Sequence, residues 1–260
     1  MPIINIQGKN LFYDLINKEY LNSINPILIF LHEGLGCSEQ WRDIPKKISE
    51  TLKLPALVYD RYGYGKSEEI IEERETTFLE YEAKFTLHEL FTKLNLQNLK
   101  KVLIGHSDGG TIALIYASLY PAHIQGVITE AAHVFTEKIT LEGLKETVQI
   151  YKNTDLKNKL AKYHGCKTDN MFYSWTNIWL TEEMKEWNIE NLLKGITCQV
   201  LAIQGKDDNY GTPAQLKSIK KNVSGNCNLL LIQECGHIPH HQARSIVENE
   251  IISFIKKINN

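Results

Sequence analysis

The chain has 260 residues, and 29 lysines and arginines against 31 aspartates and glutamates leave a formal net charge of −2. A protein held to nucleic acid by phosphate neutralisation needs a basic excess or a basic face, so that class is excluded, and the lysine pairs at 46/47, 100/101, 220/221 and 256/257, scattered among acids, read as solvated surface. A hydrophobic content of 43% with 23% charged residues is that of a folded globular protein and excludes extensive disorder.

The opening stretch, MPIINIQGKN, has neither a basic nor an apolar segment, so no signal peptide is expected. Strands are predicted at 3–7 and 11–15, joined as an antiparallel hairpin around Gly8-Lys9-Asn10. Buried strands follow at 27–31, 56–59, 102–104, 127–129, 200–203 and 229–232. Helices are predicted at 39–52, 77–94, 111–118, 213–220 and 241–258. The alternation predicts an α/β fold, a mainly parallel eight-stranded sheet flanked by helices, with its ligand site at the carboxyl ends of the strands. The strongest apolar run, 27–31, falls far short of the roughly 20 residues that span a bilayer.

Between the strands at 127–129 and 200–203 lie about 70 residues, where a crossover needs only a dozen or so. The excess, 136–195, reads as an inserted helical cap with helices at 141–151, 155–164 and 170–187, and 1–135 with 196–260 form the core domain. The insert carries Trp175, Trp179 and Trp187, three of the four tryptophans. Trp175 and Trp179 are four apart and share a helix face. They either pack the insert onto the main domain or line an apolar lid as substrate contacts. The five cysteines (Cys37, Cys166, Cys198, Cys227, Cys235) are odd in number and form no CxxC pair. Neither a disulfide framework nor a structural zinc is expected, and a cytoplasmic location is the simplest reading.

Chemistry concentrates at Gly105-His106-Ser107-Asp108-Gly109, between a predicted strand and a predicted helix. This is GxSxG in the context it requires: the serine occupies a sharp, strained turn, its small neighbours let the chain close, and helix N–H groups stand nearby. Ser107 is the expected nucleophile. A serine hydroxyl needs a base, and among nine histidines only His237 sits just beyond a late strand, after Gly236. His240 and His241 follow Pro239 and read as the start of the last helix, His106 is expected to point away from Ser107, and His32 to brace a loop. The base needs a carboxylate partner. The loop Gly205-Lys-Asp-Asp-Asn-Tyr-Gly offers Asp207 and Asp208, and position alone leaves the choice open. Oxyanion donors are expected from the backbone N–H of Asp108 and, in the glycine-rich loop Leu31-His-Glu-Gly-Leu-Gly36, from that of Gly34. The Gly-Lys-Ser at 65–67 is not a phosphate loop, because the position five residues before Gly65 is Asp60 rather than glycine.

Taken together, GHSDGG, the loop Asp60-Arg-Tyr-Gly-Tyr-Gly-Lys-Ser67 in the form DxxGxGxS, and the chain order 107, 208, 237 resemble the α/β-hydrolase fold serine hydrolases over nearly the whole chain. LHEGLG, the WRD at Trp41, YDRYGYGKS, the WNIE at Trp187 and QGKDDNYGT resemble a bacterial branch of that family. The resemblance implies a helical cap after the sixth strand, and it selects Asp208 as the acid, since the family's acid stands three residues after a glycine. One position departs: most members have glycine directly after the oxyanion-loop histidine, where this chain has Glu33. A carboxylate facing the oxyanion would oppose it. Glu33 must therefore point away, be paired, or line the pocket and recognise a cationic or hydrogen-bond-donating substrate group.

The expected reaction is two-step acyl transfer on a small to medium carboxylic ester or lactone, with a small-molecule acyl substrate as the partner rather than a nucleic acid or a membrane. No metal or organic cofactor is implied, since no step lacks a protein group. Aminoacyl amides, thioesters and carbon–carbon bonds next to a ketone are alternative substrates of the same machinery, and a small-molecule receptor of the same fold is the alternative outside catalysis.

Overall fold

The computed structural model describes residues 2–22 and 24–259. Its strands are β1 (Ile3–Ile6), β2 (Lys9–Ile16), β3 (Ile27–Leu31), β4 (Ala56–Tyr59), β5 (Lys101–His106), β6 (Ile124–Glu130), β7 (Gln199–Gly205) and β8 (Cys227–Ile232). All eight join one sheet in the order β1-β2-β4-β3-β5-β6-β7-β8. β2 runs antiparallel to both β1 and β4, and the remaining pairs are parallel. Helices follow as α1 (Ile44–Leu52), α2 (Phe78–Tyr81) and α3 (His88–Lys93), which run together through a π-helical stretch at Glu82–Leu87, then α4 (Asp108–Leu119), α5 (Lys138–Asn153), α6 (Leu156–His164), α7 (Thr168–Trp179), α8 (Glu182–Lys185), α9 (Ala214–Asn222), α10 (Pro239–Gln242) and α11 (Arg244–Asn259).

The unbroken apolar runs of β3 and β5 are buried along their full length, as central parallel strands covered on both faces must be. The period of two divides them between two cores. Ile27, Ile29 and Leu31 face the side packed by α4, α9 and the 78–93 helix, whereas Leu28 and Phe30 face α1 and α11. The site-bearing strands are thus clamped from both sides.

Three of the predicted helices are broken in the structure. The 39–52 segment splits into a 3₁₀ turn at Ser38–Trp41 and α1, because Arg42 adopts a φ of 54°, which no right-handed helix can pass through. The 170–187 segment ends at Trp179, and Thr181 starts α8 by accepting the Met184 N–H. The last helix begins at Arg244, after the separate turn of α10 with Pro239 at its start. One lysine also departs from the surface reading. Lys101 is buried, its ammonium donates to the carbonyls of Gln97 and Leu99, and burial pushes its pKa down to about 8.

Helices α5 to α8 lie between β6 and β7. This helical segment closes at its base where Phe135 bridges Asn188, Thr136 donates to Trp187 and Ile189 donates to Val134. It reaches the loops that follow β3 and β4: His164 lies 2.9 Å from the Gly65 N–H nitrogen and 3.0 Å from the Leu35 carbonyl oxygen. Among the described residues, no helix is long and apolar enough to cross a membrane.

Candidate active site

Ser107 joins β5 to α4 with φ 51° and ψ −119°, a conformation that costs an L-residue of order 1–3 kcal/mol. The turn closes only on small residues. A Cβ at Gly105 would sit 2.2 Å from the Gly109 carbonyl oxygen, and one at Gly109 would sit 2.0 Å from that of Leu31. The glycines of the motif are therefore required by backbone contact, and the Ser107 side chain projects beside the first turn of α4.

The structure brings Ser107, His237 and Asp208 into one hydrogen-bonded chain. His237 Nε2 lies 3.0 Å from Ser107 Oγ, and His237 Nδ1 lies 2.8 Å from Asp208 Oδ1. Asp208 is fully buried at its side chain, whereas Asp207 is exposed and uses its backbone N–H on the Cys235 carbonyl, so only Asp208 meets the histidine. Its carboxylate also accepts the Tyr210 N–H at 2.8 Å and the Gln204 amide at 3.3 Å. Burial works to raise the Asp208 pKa, but His237 and the Tyr210 N–H outweigh it and carry it below the ordinary carboxylate range. For His237, burial is the largest influence and lowers its pKa, Asp208 opposes that, and His106 and His133 push it further down. A neutral imidazole between a carboxylate and a serine hydroxyl can accept the hydroxyl proton and hold it as an imidazolium.

Beside this chain, the loop after β3 is held by groups from two neighbouring strands. His32 Nδ1 donates to the Glu33 carbonyl at 2.8 Å, which leaves Nε2 to accept the Arg61 N–H at 3.1 Å. Arg61 also donates through Nη2 to the same Glu33 carbonyl at 2.8 Å, and both its terminal nitrogens lie 3.4 Å from Asp108 Oδ2. The Trp175 indole N–H donates to that oxygen at 3.1 Å. Arg61 and Asp108 are only 3% and 2% exposed, so the pair is a buried one. Gly34 lies flat against Trp175, where an added Cβ would come within 2.1 Å of the indole nitrogen.

These groups surround a cavity of about 300 Å³. Ser107, His237, Gly34 and Asp108 line one side, and Trp175, Trp179, Leu144, Leu35 and Ile238 supply the apolar remainder. Trp187, by contrast, packs edge-on against Trp179 and donates to Glu80 without lining the cavity. Glu33 also lines it, with Oε2 at 3.6 Å from His106 Nδ1. The structure thus places Glu33, Gly34, Ser107, Asp108, Trp175, Trp179 and His237 around one cavity, with Asp208 buried out of it against the far ring nitrogen of His237. Sequence reasoning missed Arg61, Gln204 and His133, whose Nε2 donates to the Tyr210 carbonyl at 3.0 Å and so steadies the acid loop. An arginine in a glycine-rich turn reads as solvent-facing; only the fold reveals that it faces Asp108. Among the described residues, no group of three or more His, Cys, Asp or Glu side chains is placed to hold a metal ion.

A strained serine between a central strand and a helix, on a sheet of this order, defines an α/β-type hydrolase. The family model of the alpha/beta hydrolase fold matches residues 26–163, and the chain belongs to that family. It is similar to the proline iminopeptidase of Saccharolobus solfataricus, 25% identical over 97% of this chain and 91% of that protein. It is also similar to the pimeloyl-[acyl-carrier protein] methyl ester esterase of Wigglesworthia glossinidia brevipalpis, 27% identical over 96% of this chain and 100% of that protein. Among solved structures, the enol-lactonase from Burkholderia xenovorans LB400 superposes with a TM-score of 0.75 at 17% identity, covering 98% of this chain and 100% of that one.

Proposed function

We propose that the protein is a serine hydrolase that cleaves a small to medium, uncharged carboxylic ester or lactone through an acyl-enzyme. The observation that carries this reading is the Ser107–His237–Asp208 chain opening onto a largely apolar pocket. His237 takes the Ser107 proton as Oγ attacks the carbonyl carbon, and Asp208 stabilises the resulting imidazolium. The backbone N–H groups of Gly34 and Asp108 hold the oxyanion. His237 then gives the proton to the leaving alkoxide, and water repeats the attack to release the acid. Residues 136–195 act as a cap that shields the acyl-enzyme, with Trp175 and Trp179 as its apolar contacts to substrate.

Relatives of this chain include both an esterase and proline iminopeptidases, and pocket charge supports the ester reading. A free aminoacyl substrate carries an ammonium group that needs an unspent carboxylate once water is expelled. The two acidic side chains on the cavity wall are already engaged, Asp108 by Arg61 and Trp175, Glu33 by His106. An uncharged ester asks for no such partner. Turnover measured on a panel of esters of graded acyl length, lactones and aminoacyl amides tests the choice. The reading expects kcat/KM for uncharged esters or lactones to exceed that for aminoacyl amides; the reverse order would overturn it.

A further inference from the structure

His106 lies wholly buried against His237, and its two ring nitrogens meet different neighbours. Nε2 lies 2.7 Å from the carbonyl oxygen of His237, and because a carbonyl only accepts, Nε2 carries a hydrogen. Nδ1 faces Glu33 Oε2 at 3.6 Å. A neutral ring with its hydrogen on Nε2 would turn a lone pair toward that carboxylate; the imidazolium turns an N–H toward it. A second acid stands behind. Glu130, fully buried on β6, holds the backbone N–H of His240 at 2.9 Å and its Nδ1 at 3.0 Å, and the His240 ring packs edge-on against His106 at 4.9 Å. On its other side, the His106 ring centroid is 5.2 Å from that of His237.

We propose that Glu33 and His106 are a positioning pair for the base: Glu33 keeps His106 cationic, and this buried cation pins the His237 backbone through its carbonyl while keeping the His237 ring neutral in mildly acidic solution. The proposal rests on His237 acting as the base of Ser107. Burial is the largest influence on His106 and opposes its charge, but Glu33 and Glu130 outweigh it and hold its pKa above the ordinary histidine range. The groups facing His237 divide in sign. Asp208, from the loop after β7, favours its charged form; His106 from β5 and His133 from beyond β6 oppose it; Tyr210 packs on its ring at 4.6 Å. Of the two opposing histidines, His106 is the one with a carboxylate, that of Glu33, within 4 Å of a ring nitrogen. The glutamate in place of the usual glycine after His32 thereby acquires a function. It supplies a counterion to a histidine rather than to a substrate.

The test uses the full chain and two readouts. In imidazole nitrogen NMR at neutral pH, the wild-type His106 ring is expected to show both nitrogens protonated, and Glu33→Gln to return it to a neutral ring. In parallel, the rate of Ser107 modification by a fluorophosphonate is followed against pH. Glu33→Gln is expected to move the acid limb up by about one pH unit, making modification on the acid side about tenfold slower. Glu33→Asp, which keeps the charge, should recover most of the shift, a recovery that loss of packing alone would not produce. A neutral His106 in the wild type, or an acid limb unmoved by Glu33→Gln, would overturn the proposal. If Glu33→Gln does not fold, the wild-type spectrum decides alone. Absence of modification in the wild type at every pH would strike the proposed function instead, and the spectrum would still decide the state of the pair.

Discussion

The Arg61 guanidinium grips the carbonyl oxygen of Glu33 at 2.8 Å. That oxygen belongs to the same planar trans peptide unit as the N–H of Gly34, so fixing one end fixes the direction of the other. With its remaining donors toward Asp108, the arginine ties together the two segments whose backbone N–H groups would hold the oxyanion. Arg61→Lys keeps the charge but cannot reach both partners with one planar fork. It should lower kcat for an ester by about tenfold or more with little change in KM, since the interaction it disturbs serves the transition state. Arg61→Met leaves the buried Asp108 carboxylate without its counterion and should cost about 3–5 kcal/mol in denaturant unfolding.

The two adjacent aspartates give a sharp contrast. In the proposed mechanism Asp208→Asn removes the charge that orients and stabilises the His237 imidazolium, and kcat should fall by about 10³–10⁴-fold. Asp207→Asn alters an exposed side chain and should leave kcat near the wild-type value. Equal losses, measured on the same ester, would reassign the acid.

Backbone strain at Ser107 is measurable apart from activity. Ser107→Ala and Ser107→Gly both lose the hydroxyl, but only glycine tolerates φ 51° and ψ −119° without steric cost. Ser107→Gly should therefore be more stable than Ser107→Ala by about 1–2 kcal/mol in chemical denaturation. Equal stability would mean that the turn relaxes when the hydroxyl is removed.

For pH dependence the sign follows from the base. In the proposed mechanism His237 acts in its neutral form, so activity should rise as pH climbs through its pKa. Burial, with help from His106 and His133, sets that pKa below the ordinary histidine range despite Asp208. The acid limb of kcat/KM should accordingly lie below the value of an unperturbed histidine, and in Asp208→Asn, where the opposing charge is gone, lower still. An acid limb above the ordinary range would mean that Asp208 dominates.

Much of this was legible in the chain itself, for a physical reason. Strands at 27–31 and 56–59 run as expected because buried parallel strands are nearly all apolar and bounded by turns. Ser107 is legible because the turn around it demands glycine, and His237 because it stands just beyond a late strand. Less legible were residues whose role depends on a partner far along the chain. Arg61 meets Asp108 across 47 positions, and Lys101 is buried although its neighbour Lys100 is exposed. Glu33 stands out in the sequence, but its partner His106 cannot be read from spacing, since β3 and β5 are neighbours only in the folded sheet. Breaks within the predicted helices depended on single backbone angles such as that of Arg42, which composition does not encode.

The central claim is that Ser107 is a nucleophile activated by His237, and covalent labelling tests it most directly. Wild-type protein and the Ser107→Ala and His237→Ala variants are treated with a fluorophosphonate, and the intact mass of each is measured. The account predicts a single phosphonyl adduct on the wild type, mapped to Ser107 by peptide sequencing, none on Ser107→Ala, and strongly slowed labelling of His237→Ala. An adduct that persists on Ser107→Ala, or a wild type that takes none, would contradict it.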